Sequence, residues 1–365
     1  MADRAQNQLP PFSAHRLGGE RAQAAVTLRG LFRQAGLSES PWPHWIDARP
    51  GLLSGIWVDG DAEPPLGQLF ASLCIQYGEL LIDGLSALKL ALAAQTVGFC
   101  TSSPAVHAEL LRLCAKTTIA VQSTVAAFPS LPEPELPPSP GRAWVVSPQL
   151  VVAVGAIVRR REPPRLCSVV GAVKQPQVLD LACAGIDAAE TAWTPRELVR
   201  RCFGSTSAAW VALVGGALTG LPWNDDGPLP TDVSHLLVLP ADHELISRRR
   251  LLHDPTARIS NACLSCDLCS AFCPESIRPH VQMQALARKQ PLPSGGLSGC
   301  TGCGACSVVC PAGLLPASLL INPAVPRPVS AQHHADEPPP LPEGRLRIPT
   351  ELLLSRLGLL DYLPR

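Results

Sequence analysis

Residues 261–274 read NACLSCDLCSAFCP, and residues 299–311 read GCTGCGACSVVCP. The first holds Cys263, Cys266, Cys269 and Cys273 before Pro274; the second holds Cys300, Cys303, Cys306 and Cys310 before Pro311. Each is C-x2-C-x2-C-x3-C-P. Three cysteines at this interval put three thiols on one short loop. The proline after the fourth cysteine has no N–H and a fixed φ, so it turns the chain away. Thr301, Gly302, Gly304 and Ala305 are small. They leave room for backbone N–H groups to approach whatever the thiols hold.

This spacing resembles that of bacterial two-cluster ferredoxins, in which each motif binds three irons of one [4Fe-4S] cube and lends its fourth cysteine to the other. The resemblance implies one cluster on Cys263, Cys266, Cys269 and Cys310, and another on Cys300, Cys303, Cys306 and Cys273. It implies one-electron transfer. Zinc is the competing reading, but structural zinc sites use two C-x2-C pairs set well apart. A disulfide framework would need a secreted chain.

The 365 residues are 46% hydrophobic, enough for two or three small cores. Lys+Arg and Asp+Glu both number 30, so no basic field points to nucleic acid. The opening MADRAQNQLPPF has no apolar signal core, and the apolar run 150–158 is too short to cross a bilayer. A soluble, cytoplasmic protein without a transmembrane segment is expected. Its 14 cysteines then read as reduced thiols or metal ligands. Cys74, Cys100, Cys114, Cys167, Cys183 and Cys202 are isolated and read as small buried hydrophobes. The nine histidines show no ligand spacing; His243-Glu244 lacks the second histidine of a zincin helix.

Among 39 prolines, the runs 129–140 and 338–342 exclude helix and central strand. The second run lies in a stretch, 322–343, that includes His333 and His334 and reads as a solvated tail. Between the motifs and these runs, helical periodicity covers 66–94, 105–116 and 148–160, and strand-like runs cover 97–100, 118–122 and 144–146. The alternation predicts an α/β layer with parallel strands. A strand from 166, a turn at 174–176, a helix capped by Thr194 with Pro195 at its first position, and a strand at 210–214 predict a small β-grasp-like module. A strand at 235–240 and a helix from 242 ending in Arg248-Arg249-Arg250 lead to the cysteine motifs, which a helix at 281–289 joins. The arginines read as a solvated helix end, with docking of an acidic partner as the sharper alternative.

In this order the segments resemble the PduS/RnfC-like family of iron–sulfur electron-transfer proteins. SVVGAVKQP, TPRELV and LVGGALTG resemble its SLBB β-grasp segment. HLLVLPADHELISRRR with the first motif, and the terminal GRLRIPTELLLSRLGLLDYLPR, look like its cobalamin-reductase branch. The resemblance implies α/β architecture: a degenerate flavin/NADH domain like the 51-kDa subunit of complex I over 1–160, an SLBB-like β-grasp module over 161–232, a two-[4Fe-4S] ferredoxin-like α+β domain over 233–323, and a proline-rich linker with a C-terminal helix over 324–365. FMN and NADH would be further cofactors, with Glu63 of DGDAEP at the nicotinamide–flavin pocket; an exposed loop carboxylate is the plainer reading. The family's glycine-rich phosphate loop is absent. Only Gly18-Gly19 precedes ERAQAAVTLRGLFRQAGLSES, which cannot form such a nest.

Two functions follow as expectations. One is a cobalamin-reductase-like oxidoreductase carrying electrons from NADH and flavin through two clusters to a corrinoid enzyme system. The other is a relay or scaffold that has lost flavin and NADH. Partners would be a redox protein and, by the same resemblance, a bacterial microcompartment shell. Residues 21–35 form a weak amphipathic targeting candidate, with Ala24, Leu28, Leu31 and Phe32 on one face.

Overall fold

Three helices start the same way. Ser103-Pro104, Ser147-Pro148 and Thr194-Pro195 each place a hydroxyl that accepts from the N–H three residues on, and each puts proline at the first helical position. The cap satisfies an orphan donor, and the proline has no N–H to orphan. These starts help set the rhythm of the α/β chain.

The structure is a computed structural model that describes residues 53–61, 65–124, 127–128, 142–181, 193–223, 225–230, 233–250, 263–273, 277–288, 290, 300, 302–320 and 346–363. Glu63, Cys183, the segments 21–35 and 129–140, and His333 and His334 lie outside them. The described residues fall into two compact units: one holds 53–61, 70–124 and 142–164, and the other holds the remainder.

In chain order the first unit contains β1 (Leu53–Asp59), most of α1 (Leu69–Leu92), β2 (Thr96–Thr101), α2 (Pro104–Cys114) and β3 (Ala120–Ser123). After the two-residue β4 (Ala127–Phe128) of the second unit come β5 (Arg142–Val146) and α3 (Pro148–Val158). The sheet order is β3-β2-β1-β5, and every pairing is parallel. β1 is buried along its whole length, as a central parallel strand must be. The sequence reading leaves β1 unassigned, because Ser54 and Gly55 interrupt its short apolar run. α1 and α3 cross backbone to backbone. A Cβ on Gly84 would sit 1.9 Å from the Val151 carbonyl oxygen, and one on Gly155 would sit 2.0 Å from that of Leu80.

The second unit continues with β6 (Leu166–Gly171), β7 (Gln177–Asp180), α4 (Pro195–Arg201), β8 (Trp210–Val214), α5 (Gly216–Thr219), β9 (Leu221–Trp223), β10 (His235–Pro240) and α6 (Glu244–Arg250). Its sheet order is β7-β6-β10-β8-β9, with β10 parallel to β6 and every other pair antiparallel. β10 is thus central, and Leu236, Leu237, Val238 and Leu239 are all buried. One core packs Leu198, Val199 and Cys202 around α4 against Cys167, Val169, Leu236 and Val238. Another packs Val170, Leu213, Leu237 and Leu239 with Leu245 and Ile246 of α6.

The cysteine region follows with α7 (Leu268–Ala271), α8 (Pro279–Ala287), α9 (Ala305–Val308) and α10 (Pro316–Leu320). The chain then contributes β11 (Ile348–Pro349), which pairs with β4, and α11 (Thr350–Arg356). Ala305 and Val309 share a core with the sheet, as do Leu353 and Leu354 of α11. Burial on the sheet therefore anchors the second cysteine loop. The expected solvated end at Arg248–Arg250 holds only in part. Arg248 pairs with Glu244 one turn back, but Arg249 is 3% exposed. Five of the isolated cysteines, at 74, 100, 114, 167 and 202, are buried.

Candidate iron–sulfur centre

The two cysteine loops are copies in conformation as well as in spacing. In the first, the residues on either side of Cys266 have left-handed φ: Ser265 at 52° and Asp267 at 61°. In the second, the residues on either side of Cys303 do the same: Gly302 at 69° and Gly304 at 86°. A one-turn helix then begins in each, α7 after Asp267 and α9 after Gly304. Left-handed residues between right-handed ones turn successive N–H groups toward one side, which makes an anion-receiving concavity. The second loop uses glycine at both positions. The first uses Ser and Asp there, at a cost of about 1–2 kcal/mol each.

Two hollows result. The first, of about 350 Å³ including open solvent, is lined by Cys263, Cys266, Cys269 and Cys310, with His280 and Met283 of α8 beside them. The second, of about 320 Å³, is lined by Cys273, Cys300, Cys303 and Cys306, with Ala317 and Leu320 of α10. Each hollow thus gathers three thiols from one loop and the fourth from the other. The third cysteines of the two loops, Cys269 and Cys306, share one small packed cluster with Ala317, so the two sites adjoin there.

The electrostatics follow the same partition except that Cys269 acts across it on Cys306. Burial pushes the Cys306 thiol well above its ordinary range, and neighbouring Cys303, Cys300, Cys269 and Cys273 push it further. Burial raises Cys310, the Leu314 and Ala312 N–H groups lower it, and Cys266 and Cys263 raise it again. Burial takes Cys269 to about 11, against a lowering contribution from the His280 N–H. Four sulfurs so placed cannot all be anions unless positive charge sits among them. A body of several metal ions, each bonded to one thiolate, meets that demand. Among the described residues no three His, Cys, Asp or Glu side chains close on a single ion. The donors that both hollows share are four cysteine sulfurs, which suits an iron–sulfur cube, while His280 and Asp267 beside the first set pair with each other.

In the first unit, Asp61 collects the donors at the carboxyl ends of β2 and β3. It accepts from the Ser102 N–H at 2.7 Å, the Ser102 hydroxyl at 3.0 Å and the Thr124 hydroxyl at 2.6 Å. Neither this knot nor the place of Arg249 has a motif to announce it. Among the described residues no helix is long and apolar enough to cross a membrane.

Comparison with known proteins agrees with the cysteine geometry. Residues 257–311 match the family of 4Fe-4S dicluster domains. No curated protein matches the chain. Among solved structures, NAD+-reducing [NiFe]-hydrogenase in the H2-reduced state is similar at a TM-score of 0.44 and 16% identity, over 79% of this chain and 57% of that one. The same hydrogenase in the air-oxidized state is similar at 0.46 and 14% identity, over 96% and 69%. Similarity at that level assigns no activity here. The dicluster match and the thiol-lined hollows together support an iron–sulfur electron-transfer role for this part of the chain.

Proposed function

We propose that the protein is an electron-transfer protein of the PduS/RnfC type with two [4Fe-4S] clusters. Cys263, Cys266, Cys269 and Cys310 hold one cluster, and Cys300, Cys303, Cys306 and Cys273 hold the other. The observation that carries this reading is the exchange of the fourth thiol between the loops. When bound, the clusters supply one-electron transfer at potentials set by burial and N–H···S bonds. The chain's own residues keep the thiols convergent and pack the third cysteine of each loop with Ala317. Anaerobic reconstitution tests the proposal. About eight irons per chain, with a paramagnetic signal after dithionite, support it; two tightly bound zincs and no such signal overturn it.

The five-stranded sheet supports a β-grasp module of the SLBB type. A hairpin β6–β7, a helix α4 and a central β10 parallel to β6 make up that topology, and the proposed module takes in β10 as well as 161–232. The 51-kDa-like reading of the first unit, with Glu63 at a nicotinamide–flavin pocket and a corrinoid as acceptor, rests on the resemblance alone, as does a microcompartment partner.

A relay without flavin or NADH is the reading that one observation favours. The N–H and hydroxyl groups at the carboxyl ends of β2 and β3, where a parallel sheet would receive a phosphate, are taken up by Asp61. A carboxylate there repels a second anion. Protein purified without added cofactor should therefore carry no flavin and reduce no dye with NADH. Bound FMN with NADH-dependent dye reduction would restore the oxidoreductase reading.

A further inference from the structure

Arg249 is the most deeply buried charge among the described residues, and no carboxylate among them pairs with it. Its guanidinium is held by neutral oxygens. Nη2 donates to the Ala217 carbonyl at 2.9 Å and to the Leu218 carbonyl at 2.7 Å, and Nη1 donates to the Ser318 hydroxyl. Nε has no partner. Burial lowers its pKa only to about 10, so it is cationic at neutral pH. A lone buried cation is expensive, and replacing it with a well-packed apolar side chain is often neutral or stabilising. Retaining it calls for something anionic nearby.

Two of the three anchors of Arg249, Ser318 and Leu218, are backing for the second hollow. Ser318 lies in α10 between Ala317 and Leu320, which line that hollow. Leu218 packs against Gly304, another of its lining residues, so closely that a Cβ on Gly304 would stand 2.6 Å from the Leu218 Cβ. Of α10 only Pro316 lines the first hollow, although that hollow's Cys269 also packs on Ala317. The charge is therefore placed behind one thiol set and not equally behind both.

Resting on the cluster reading above, we infer that Arg249 is a positioning residue for charge: its guanidinium stabilises an added electron at the Cys273, Cys300, Cys303 and Cys306 site and makes that site the more easily reduced of the two. The interaction falls with distance and acts through protein interior, not water, so it favours the second site. The first site holds the more exposed thiol, Cys266, where its counterpart Cys303 in the second is half-buried. The chain thus holds a polarity, with electron exchange at the more exposed site and electron storage at the less exposed one.

The test is a dithionite redox titration of the reconstituted full chain, followed by paramagnetic resonance. The second-site signal is identified as the one that Cys273→Ser alters. Arg249→Met should weaken reduction at the second site about tenfold, about 59 mV for a one-electron couple, and leave the first nearly unchanged. Arg249→Lys keeps the charge and should keep the midpoint near wild type, which a merely structural role would not predict. Ser318→Asp sets a carboxylate against the retained arginine and should lower the second midpoint in the same direction. It decides the matter if Arg249→Met fails to load iron. Unchanged midpoints in loaded variants, or equal shifts at both sites, overturn the inference and leave the cluster reading standing. A wild-type chain that takes up no iron overturns both.

Discussion

Cys310 shares a hollow with Cys266 and not with Cys306, although Cys306 is four positions away in the same motif. The reason is local. α9 ends at Val308, and Val309 is buried in the sheet core, so the chain leaves the helical path before Cys310. The same break follows α7, which ends at Ala271 ahead of Cys273. A fourth cysteine beyond the end of a one-turn helix no longer faces the side that its three predecessors face.

The two sites differ in exposure, and this has a kinetic consequence. Cys266 is exposed where its counterpart Cys303 is half-buried, and Cys310 is half-buried where Cys273 is buried, while the third cysteines Cys269 and Cys306 are both buried. Oxidants reach the first site more readily, since solvent access governs attack on cluster sulfur and iron. Timed exposure of the reduced protein to air should erase the Cys266-side resonance signal severalfold faster than the other. Equal decay would mean that the described exposure does not govern access.

Gly304 and Gly313 offer a matched pair. Both have left-handed φ, 86° and 62°. A Cβ at Gly304 meets Leu218, while at Gly313 nothing lies within 4 Å. Gly313→Ala should cost only the backbone term, about 1–2 kcal/mol. Gly304→Ala should add an overpacking cost of about 1–3 kcal/mol and impair loading of the second site. Urea midpoints and iron content of the two variants check this.

The crossing of α1 and α3 leaves no room for a methyl group. Gly84→Ala and Gly155→Ala each push a Cβ into a backbone oxygen that cannot rotate aside. Each should destabilise the first unit by about 1–3 kcal/mol, read as a lower urea midpoint, with iron content unaffected.

Alkaline pH should unfold the protein through its buried thiols. Burial raises Cys100 and Cys167 from 9.0 to about 12, and Cys202 from 9.0 to about 11. Folded pKa values above the unfolded ones mean that this stability is whole below pH 9.0. It is lost as pH climbs through the interval from 9.0 to about 12, because the unfolded chain releases protons the native chain keeps. Urea midpoints should be insensitive to Cys167→Ala at pH 8 in their pH slope, and the slope between pH 9 and 11 should flatten in that variant.

The strands at 96–101, 142–146, 166–171 and 210–214 and the Thr194-Pro195 helix start were legible because apolar runs and hydroxyl–proline pairs carry their own physics. β1 was not, since its burial comes from β2 and β5 on either side and not from its own run. β7 and β9 are short edge strands, and only pairing defines them. Arg249 looked like Arg248 in sequence. What separates them is the face of α6 each occupies, and the carbonyls of α5 that wait on one face alone. Spacing put three thiols on each loop, but which loop receives Cys310 is a property of tertiary packing.

The central claim, exchange of the fourth ligand, is tested most directly by Cys310→Ser and Cys273→Ser in the reconstituted full chain, with iron content and the two resonance signals as readouts. Cys310→Ser should perturb or empty the site of Cys263, Cys266 and Cys269 and spare the other, and Cys273→Ser should do the reverse. Loss of the Cys300, Cys303 and Cys306 site in Cys310→Ser, with the first site intact, would contradict the account.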